Sequence, residues 1–91
     1  MAAVEFAVVV EVRLRPGIAD PQGATIERSL PMLGYDSIRG VTVGKAIRFT
    51  VEADDEVAAC HQVDELCQRF LTNPVIEEAE VVVTPSVLSR P

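Results

Sequence analysis

The sequence has few aromatic residues and no tryptophan. Only 4% of its 91 residues are aromatic, whereas 48% are hydrophobic, so the core has to be built from Val, Ile, Leu and Ala, which suits a sheet covered by short helices. No stretch approaches the roughly 18 consecutive apolar residues of a membrane span, and the first six residues lack the basic segment of a secretory signal. We therefore expect one small cytoplasmic domain that does not engage a membrane, formed by residues 1–83 and followed by a mobile tail, 84–91.

Basic residues are also scarce. Eight Lys and Arg stand against fourteen Asp and Glu, which gives a formal net charge of −6. A binding surface for a nucleic-acid backbone needs a concentration of positive charge, and this sequence has no basic cluster that could supply one. Nucleic acid is therefore excluded as the expected partner.

Histidine and cysteine are too few and too poorly spaced to make a reactive site. Cys60 and Cys67 fall in one predicted helix, where a rise of ~1.5 Å per residue puts their Cα atoms about 10 Å apart, too far for a disulfide. His61 is the only histidine, and because neighbouring positions on a helix diverge by about 100°, it cannot act as a base for Cys60. The acids at 54–56 could resemble a metal loop, but capping of a helix start explains them better. We expect no catalytic residue, metal or cofactor in this chain.

Hydrophobic periodicity predicts six elements in the order β-α-β-β-α-β. Four segments alternate with period two and are predicted strands: 6–14, 38–43, 46–53 and 75–83. Two segments repeat with helical spacing: 21–33 and 54–71. This order is typical of the ferredoxin-like, split β-α-β sandwich, an α+β fold whose antiparallel sheet carries both helices on one face.

The first helix has clear start and stop signals and one irregularity. Asp20 before Pro21 is a strong helix start, and Gly34 is placed to end the helix in a left-handed conformation. Pro31 lacks the N–H that would bond to the helix backbone, so it predicts a kink or a tightened last turn. Gly40 suggests a bulge in the second strand, and the dipeptide at 44–45 is the predicted hairpin turn.

Two short segments could in principle bind phosphate, and each has a plainer explanation. The Val43-Gly44-Lys45 run lacks the glycine spacing of a P-loop and joins two strands, so it is more simply a hairpin turn whose lysine is either solvated or in contact with a partner. The segment from Asp20 to Gly23 could expose helix N–H groups to an anion, although a plain helix cap accounts for it.

Three segments together resemble the PurS family, the small subunit of bacterial phosphoribosylformylglycinamidine (FGAM) synthase. They are Asp20-Pro21-Gln22-Gly23, Val41-Thr42-Val43-Gly44-Lys45 and Leu71-Thr72-Asn73-Pro74-Val75-Ile76-Glu77. The likeness covers roughly residues 5–83. It implies a non-catalytic subunit that bridges a large synthetase subunit, which binds ATP and Mg, and a glutaminase subunit, so that ammonia passes between them during the conversion of FGAR, glutamine and ATP to FGAM.

The resemblance also implies self-association, as a homodimer or a homotetramer. We expect the turn and loop residues Asp20, Gln22, Lys45 and Asn73 to contact the larger subunits. The sheet face opposite the helices carries apolar residues among charges, and there we expect a self-association surface that includes Val9, Glu11 and Val82. The alternatives are a ferredoxin-like regulatory domain that senses a small molecule and, less favoured, an enzyme built at a dimer interface.

Overall fold

The computed structural model describes residues 3–86 and consists of three strands and two helices. The elements are β1 (Val4–Leu14), α1 (Pro21–Ser29), β2 (Lys45–Ala53), α2 (Glu56–Leu66) and β3 (Glu77–Pro85). A 3-10 turn, Pro31–Leu33, follows α1, and a π-helical turn, Cys67–Leu71, extends α2.

The sheet is antiparallel with the order β2-β1-β3, so β1 is the central strand. Its inward residues alternate along the strand, and Phe6, Val8, Val10 and Val12 are all buried. The middle two pair with partly buried core residues of both neighbours: Val8 lies opposite Phe49 and Val83, and Val10 lies opposite Ile47 and Val81. This strict alternation leaves one sheet face apolar and the other mixed, because successive side chains on a strand point to opposite faces.

The apolar face of the sheet is partly covered by α2. Asp55 caps this helix by accepting a 2.8 Å hydrogen bond from the Ala58 N–H at Oδ1. Ala59, Val63 and Cys67 form its buried side, and Val63 and Cys67 join the valines of β1 in one cluster. Cys60 and Cys67 are both free thiols, as their spacing predicted.

The first helix ends as its sequence indicates. Regular helix stops at Ser29, and Pro31 begins a 3-10 turn that closes on Gly34, whose φ is +95°. The predicted tightened last turn is therefore confirmed. A glycine suits this position because a left-handed backbone costs it no Cβ clash.

Two features differ from the expected sandwich, although its α+β class, its antiparallel sheet and its two helices are confirmed. Residues 38–43 form no strand and there is no hairpin at 44–45, because the chain runs from Gly44 directly into β2. Gly40 has a φ of +76°, which breaks an extended run in place of the predicted bulge. In addition, α1 makes no substantial contact with any strand, so only α2 covers the sheet.

At the other end of the chain, β3 runs two residues past its predicted end. Thr84 and Pro85 pair with β1, and the Ser86 N–H donates to the Glu5 carbonyl at 3.0 Å. The rest of the predicted tail, 87–91, lies outside the described residues. No helix within residues 3–86 is both long and apolar enough to cross a bilayer.

Candidate partner-docking site

Between β1 and β2 the chain forms an arm, residues 21–44, in which an extended return segment lies beside α1. Asp20 closes the base of this arm with both of its carboxylate oxygens. Oδ1 accepts from the Gly23 N–H at 2.9 Å, which caps the helix, and Oδ2 accepts from the Val43 N–H at 2.9 Å. These two bonds, that from Gly23 above all, hold the pKa of Asp20 below its ordinary value because they favour the ionised form.

A second carboxylate fastens the arm further along α1. Glu27 Oε1 accepts from the Val41 N–H at 2.9 Å. Between the two attachments the backbones approach so closely that a Cβ on Gly23 would lie 2.5 Å from the Val41 carbonyl oxygen. Glycine is therefore required at 23 by packing, at some cost in helix propensity.

The loop from 72 to 77 is fixed by its own hydrogen bonds. The Asn73 carbonyl accepts from Ile76 and Glu77 at 3.1 and 2.8 Å, and its Oδ1 accepts from the Val75 N–H at 3.1 Å. The Asn73 N–H donates to Glu77 Oε1 at 2.8 Å, and Arg15 Nε donates to the Pro74 carbonyl at 2.9 Å. This bonding holds the loop in one shape.

The base of the arm and the loop from 72 to 77 lie at one end of the molecule, here called the arm-base end. A cleft there is lined by Asp20, Gln22 and Lys45 together with Glu77, and Glu77 in turn binds Asn73. The fold thus brings the four sequence-predicted contact residues to the same end.

Within the arm-base end the four residues have different environments. Asp20 and Asn73 are engaged by the backbone around them, whereas Gln22 and Lys45 are exposed. Sequence reasoning missed two further residues: Glu27, and Val75, whose side chain is 80% exposed. Glu27 could have been found, because seven residues after Asp20 is two helical turns, which puts both carboxylates on one side of α1.

The predicted self-association residues lie together on the sheet face opposite α2. Val9 lies opposite Val82, and Glu11 lies opposite Glu80. Val82 is 52% exposed. Beside them Arg13 contacts the carboxylates of Glu11, Glu78 and Glu80 at 3.3–3.6 Å, so this face is strongly charged around its small apolar centre.

The residues with reactive side chains do not assemble into a catalytic site. His61 is exposed on α2, and burial, with a contribution from nearby Asp64, raises the pKa of the Cys67 thiol, which disfavours the reactive thiolate. No group of three His, Cys, Asp or Glu side chains within 3–86 could hold a metal ion. The features that this part of the chain does offer are clefts, loops and faces suited to binding other proteins.

Comparison with known proteins identifies the family. Residues 7–85 match the family model PurS, phosphoribosylformylglycinamidine (FGAM) synthase. The PurS subunit of Synechocystis is 44% identical over 75% of this chain and 68% of its own, and that of Methanothermobacter thermautotrophicus is 39% identical over 87% of this chain and 93% of its own. The chain belongs to the PurS family.

Solved PurS structures share the fold. The PurS subunit from Thermotoga maritima superposes with a TM-score of 0.83 at 34% identity, over 91% of this chain and 95% of that one. A chain in the structure of PurLQS from Thermotoga maritima gives a TM-score of 0.81 at 35% identity, over 87% and 96% of the two chains. This PurS chain is therefore a subunit of FGAM synthase, a ligase of purine biosynthesis.

Proposed function

We propose that this chain bridges the large synthetase subunit and the glutaminase subunit of FGAM synthase and supports the transfer of ammonia between them. The observation that carries the proposal is the match to a chain of a PurLQS structure, in which a PurS subunit is assembled with both others. The large partner subunit supplies the sites for ATP and Mg. Assembly and reaction take place in the cytoplasm, where purine biosynthesis proceeds.

A physical need accounts for such a subunit. Ammonia released by one active site must reach another before it escapes into water or is protonated, so the two sites need a closed and fixed junction. A small, rigid protein with no reaction of its own can hold that junction. The two carboxylates that fasten the arm and the bonded loop at 72–77 support this role, because preformed surfaces lose little conformational entropy on binding.

At the arm-base end we propose that the predicted contact residues have two different roles. Gln22 and Lys45 touch the larger subunits directly, since both side chains are exposed at the cleft. Asp20 and Asn73 act through others, by holding the arm and the loop in place.

Self-association belongs to the same proposal, as a homodimer or a homotetramer. The apolar face of the sheet supports self-association. Its β2 side is left uncovered by α1, and an exposed apolar surface of this kind is unfavourable in an isolated chain. Val9, Glu11 and Val82 on the opposite face form a second, smaller surface that could join two dimers.

Reconstitution of the synthase tests the bridging role. Glutamine-dependent FGAM formation by the large and glutaminase subunits is measured with and without this chain, and an ammonia-fed reaction runs beside it. We expect the glutamine-dependent rate to need the chain and the ammonia-dependent rate to need it less. If neither rate responds to the chain, the bridging proposal is wrong.

A charge reversal tests the docking end within the same assay. Lys45→Glu should weaken assembly with the larger subunits because an exposed rim charge contributes to association. Arg39→Glu, an equal change of charge at an exposed residue of the arm that does not line the cleft, is the matched control. Equal assembly by the two variants would remove Lys45 from the contact surface.

A further inference from the structure

A turn at residues 15–18 leads from β1 toward the arm. The Ile18 N–H donates to the Arg15 carbonyl at 3.2 Å. Pro16 at the second position and Gly17, with a φ of +88°, at the third are the pattern of a type II turn. All four residues of the turn are exposed. The turn therefore presents Pro16 and Ile18 to solvent in a defined backbone conformation.

Arg15 ties this turn to the loop from 72 to 77. Its backbone N–H donates to the Ile76 carbonyl at 2.8 Å, and its side-chain Nε donates to the Pro74 carbonyl at 2.9 Å. Its Nη1 also lies 3.8 Å from Glu78 Oε1, which limits the freedom of the guanidinium. Two turns from distant parts of the sequence are thus held side by side.

Four apolar residues are exposed on these two turns. They are Pro16, Ile18, Pro74 and Val75, here called the two-turn patch, and the Val75 side chain is 80% exposed. A single exposed valine is ordinary on a protein surface. This valine, however, lies outside the core cluster on a loop that is fixed by hydrogen bonds to Asn73. A loop that is held so firmly around an exposed apolar residue is suited to a contact with another protein.

The cleft at the arm-base end borders the patch and adds polar groups to it. Glu77 lines the cleft and accepts from the N–H of Asn73, two residues before Val75. Lys45 in the same cleft is exposed and forms no ion pair with any residue from 3 to 86. The Asp20 carboxylate there is already engaged by two backbone N–H groups. The positive charge of Lys45 is therefore free for a carboxylate on another protein.

We propose that Val75 is the apolar anchor by which this chain docks on a larger subunit of the synthase. The matching surface is a pocket with apolar walls and a carboxylate on its rim, because the patch offers Val75 and the adjoining cleft offers the Lys45 ammonium group. An apolar centre with a polar rim is typical of interfaces between proteins. Arg15 is a positioning residue, since it acts through the loop that carries Val75. The inference rests on the proposed bridging role and assigns the residue that makes the contact.

The fixed shape of the loop is what makes a small side chain effective as an anchor. A loop that is mobile before association loses conformational entropy when it docks, and this loss offsets part of the contact energy. The loop from 72 to 77 is ordered beforehand by its own bonds and by Arg15. Loosening the loop should therefore weaken docking even when Val75 is present.

Titration of the reconstituted synthase tests the anchor. The full chain is added to fixed amounts of the large and glutaminase subunits, and the concentration that gives half of the maximal glutamine-dependent rate is measured. Val75→Asp should raise this concentration by about tenfold or more, since a charge would enter an apolar pocket. The matched control is Val57→Asp, the same change at a side chain that is 66% exposed on α2, and it should shift the concentration by less than about twofold. Equal shifts for the two variants would overturn the anchor.

Photocrosslinking identifies what Val75 touches, with a readout independent of activity. A benzoylphenylalanine in place of Val75, irradiated in the assembled complex, should couple the chain to one of the two larger subunits, and the mass of the product tells which one. The same photoreactive residue in place of Val57 is the control and should couple much less. Coupling from position 75 only to a second copy of this chain would overturn the proposal.

A double-mutant cycle tests the positioning role of Arg15. Arg15→Lys keeps the charge but loses the Nε donor, so hydrogen exchange at the Val75 and Glu77 amides should become faster. The half-maximal concentration should rise by about threefold, in line with the loss of one hydrogen bond. In a Val75→Ala background the same change should add little, because the side chain that Arg15 positions has been removed. Fully additive effects would refute the positioning role.

The failure of the anchor and the failure of the bridging role are distinguishable. If the glutamine-dependent rate does not depend on the chain at all, the bridging role is wrong and the anchor is wrong with it. If the rate depends on the chain while Val75→Asp behaves like its control, the bridging role stands and only the anchor is wrong.

Discussion

At the scale of single residues, Asp20 has the largest structural role in the arm. Its Asp-Pro context predicted a helix cap, and the bond from Gly23 confirms it. The bond from Val43 could not have been predicted, because that residue is 23 positions away along the chain and only the tertiary fold brings it near.

The ionisation of Asp20 predicts an acid-sensitive arm. Since its pKa is lowered in the folded state, its contribution to stability is present above the ordinary aspartate pKa of about 4 and is lost as the pH falls through the lower, folded value. The Val43 amide resonance should therefore shift with the Asp20 titration below about pH 4. Asp20→Asn should abolish that shift, and a Val43 resonance that titrates unchanged in this variant would contradict the assignment.

Gly23→Ala should destabilise the protein even though alanine is the better helix former. Helix propensity alone would favour Ala by about 1 kcal/mol, but the new Cβ would meet the Val41 carbonyl oxygen at 2.5 Å and Asp20 Oδ2 at 2.8 Å. A net loss of about 1–3 kcal/mol is expected from this overpacking, measured by urea unfolding.

The control for this prediction lies one residue further along the same helix. Ala24 is exposed, so Ala24→Gly should cost only the propensity difference, about 1 kcal/mol. A Gly23→Ala variant more stable than the parent protein would mean that the return segment does not press on α1.

At the scale of elements, α2 packs against the sheet through only a few buried side chains. Val63 is 1% exposed and packs in the β1 cluster, so Val63→Ala should lower the free energy of unfolding by about 2 kcal/mol through lost burial and a residual cavity. Val57 on the same helix is exposed, and Val57→Ala should change the free energy of unfolding by less than about 0.5 kcal/mol. Similar losses in thermal or urea unfolding for the two variants would place the core elsewhere.

The elements that could be predicted from the sequence are those whose signals are local. The strand β1, the caps of both helices and the tightened turn at Pro31 follow from alternation, Asp and Pro placement and a missing N–H. The segment 38–43 also alternates, but a strand forms only when it finds a neighbour, and this is a tertiary property. The sequence pattern therefore predicted the segment's preference and not its pairing.

Of the candidate site, too, one part could be predicted from the sequence and another part could not. Gln22 and Lys45 were predicted from turn chemistry and family resemblance, and the fold brings both to one cleft. Asn73 was predicted as a contact, yet its backbone N–H, its carbonyl and its side-chain Oδ1 are all engaged within its own loop, and the Val75 side chain beside it is 80% exposed. Such a distinction depends on which groups the folded loop leaves free, which no spacing rule gives.

At the scale of the whole molecule, charge controls what can bind to the sheet face opposite α2, here called the outer face. Around the Val9–Val82 pair the alternation of the strands places five glutamates and two arginines: Glu5, Glu11, Glu52, Glu78, Glu80, Arg13 and Arg48. The face therefore has a net charge of −3, and two copies brought together through it would repel each other at low ionic strength.

This repulsion gives the proposed outer-face association a recognisable salt dependence. If Val9, Glu11 and Val82 join dimers into tetramers, the tetramer fraction in sedimentation should rise between low salt and about 0.5 M salt, since screening shortens the range of the repulsion to a few ångströms. Glu11→Gln with Glu80→Gln should raise the tetramer fraction already at low salt.

Val82→Glu, which adds charge at the apolar centre, should lower the tetramer fraction at every salt concentration. A tetramer that weakens as salt is added would therefore show that opposite charges hold it together, and the outer face would then have to receive a more basic surface than its own.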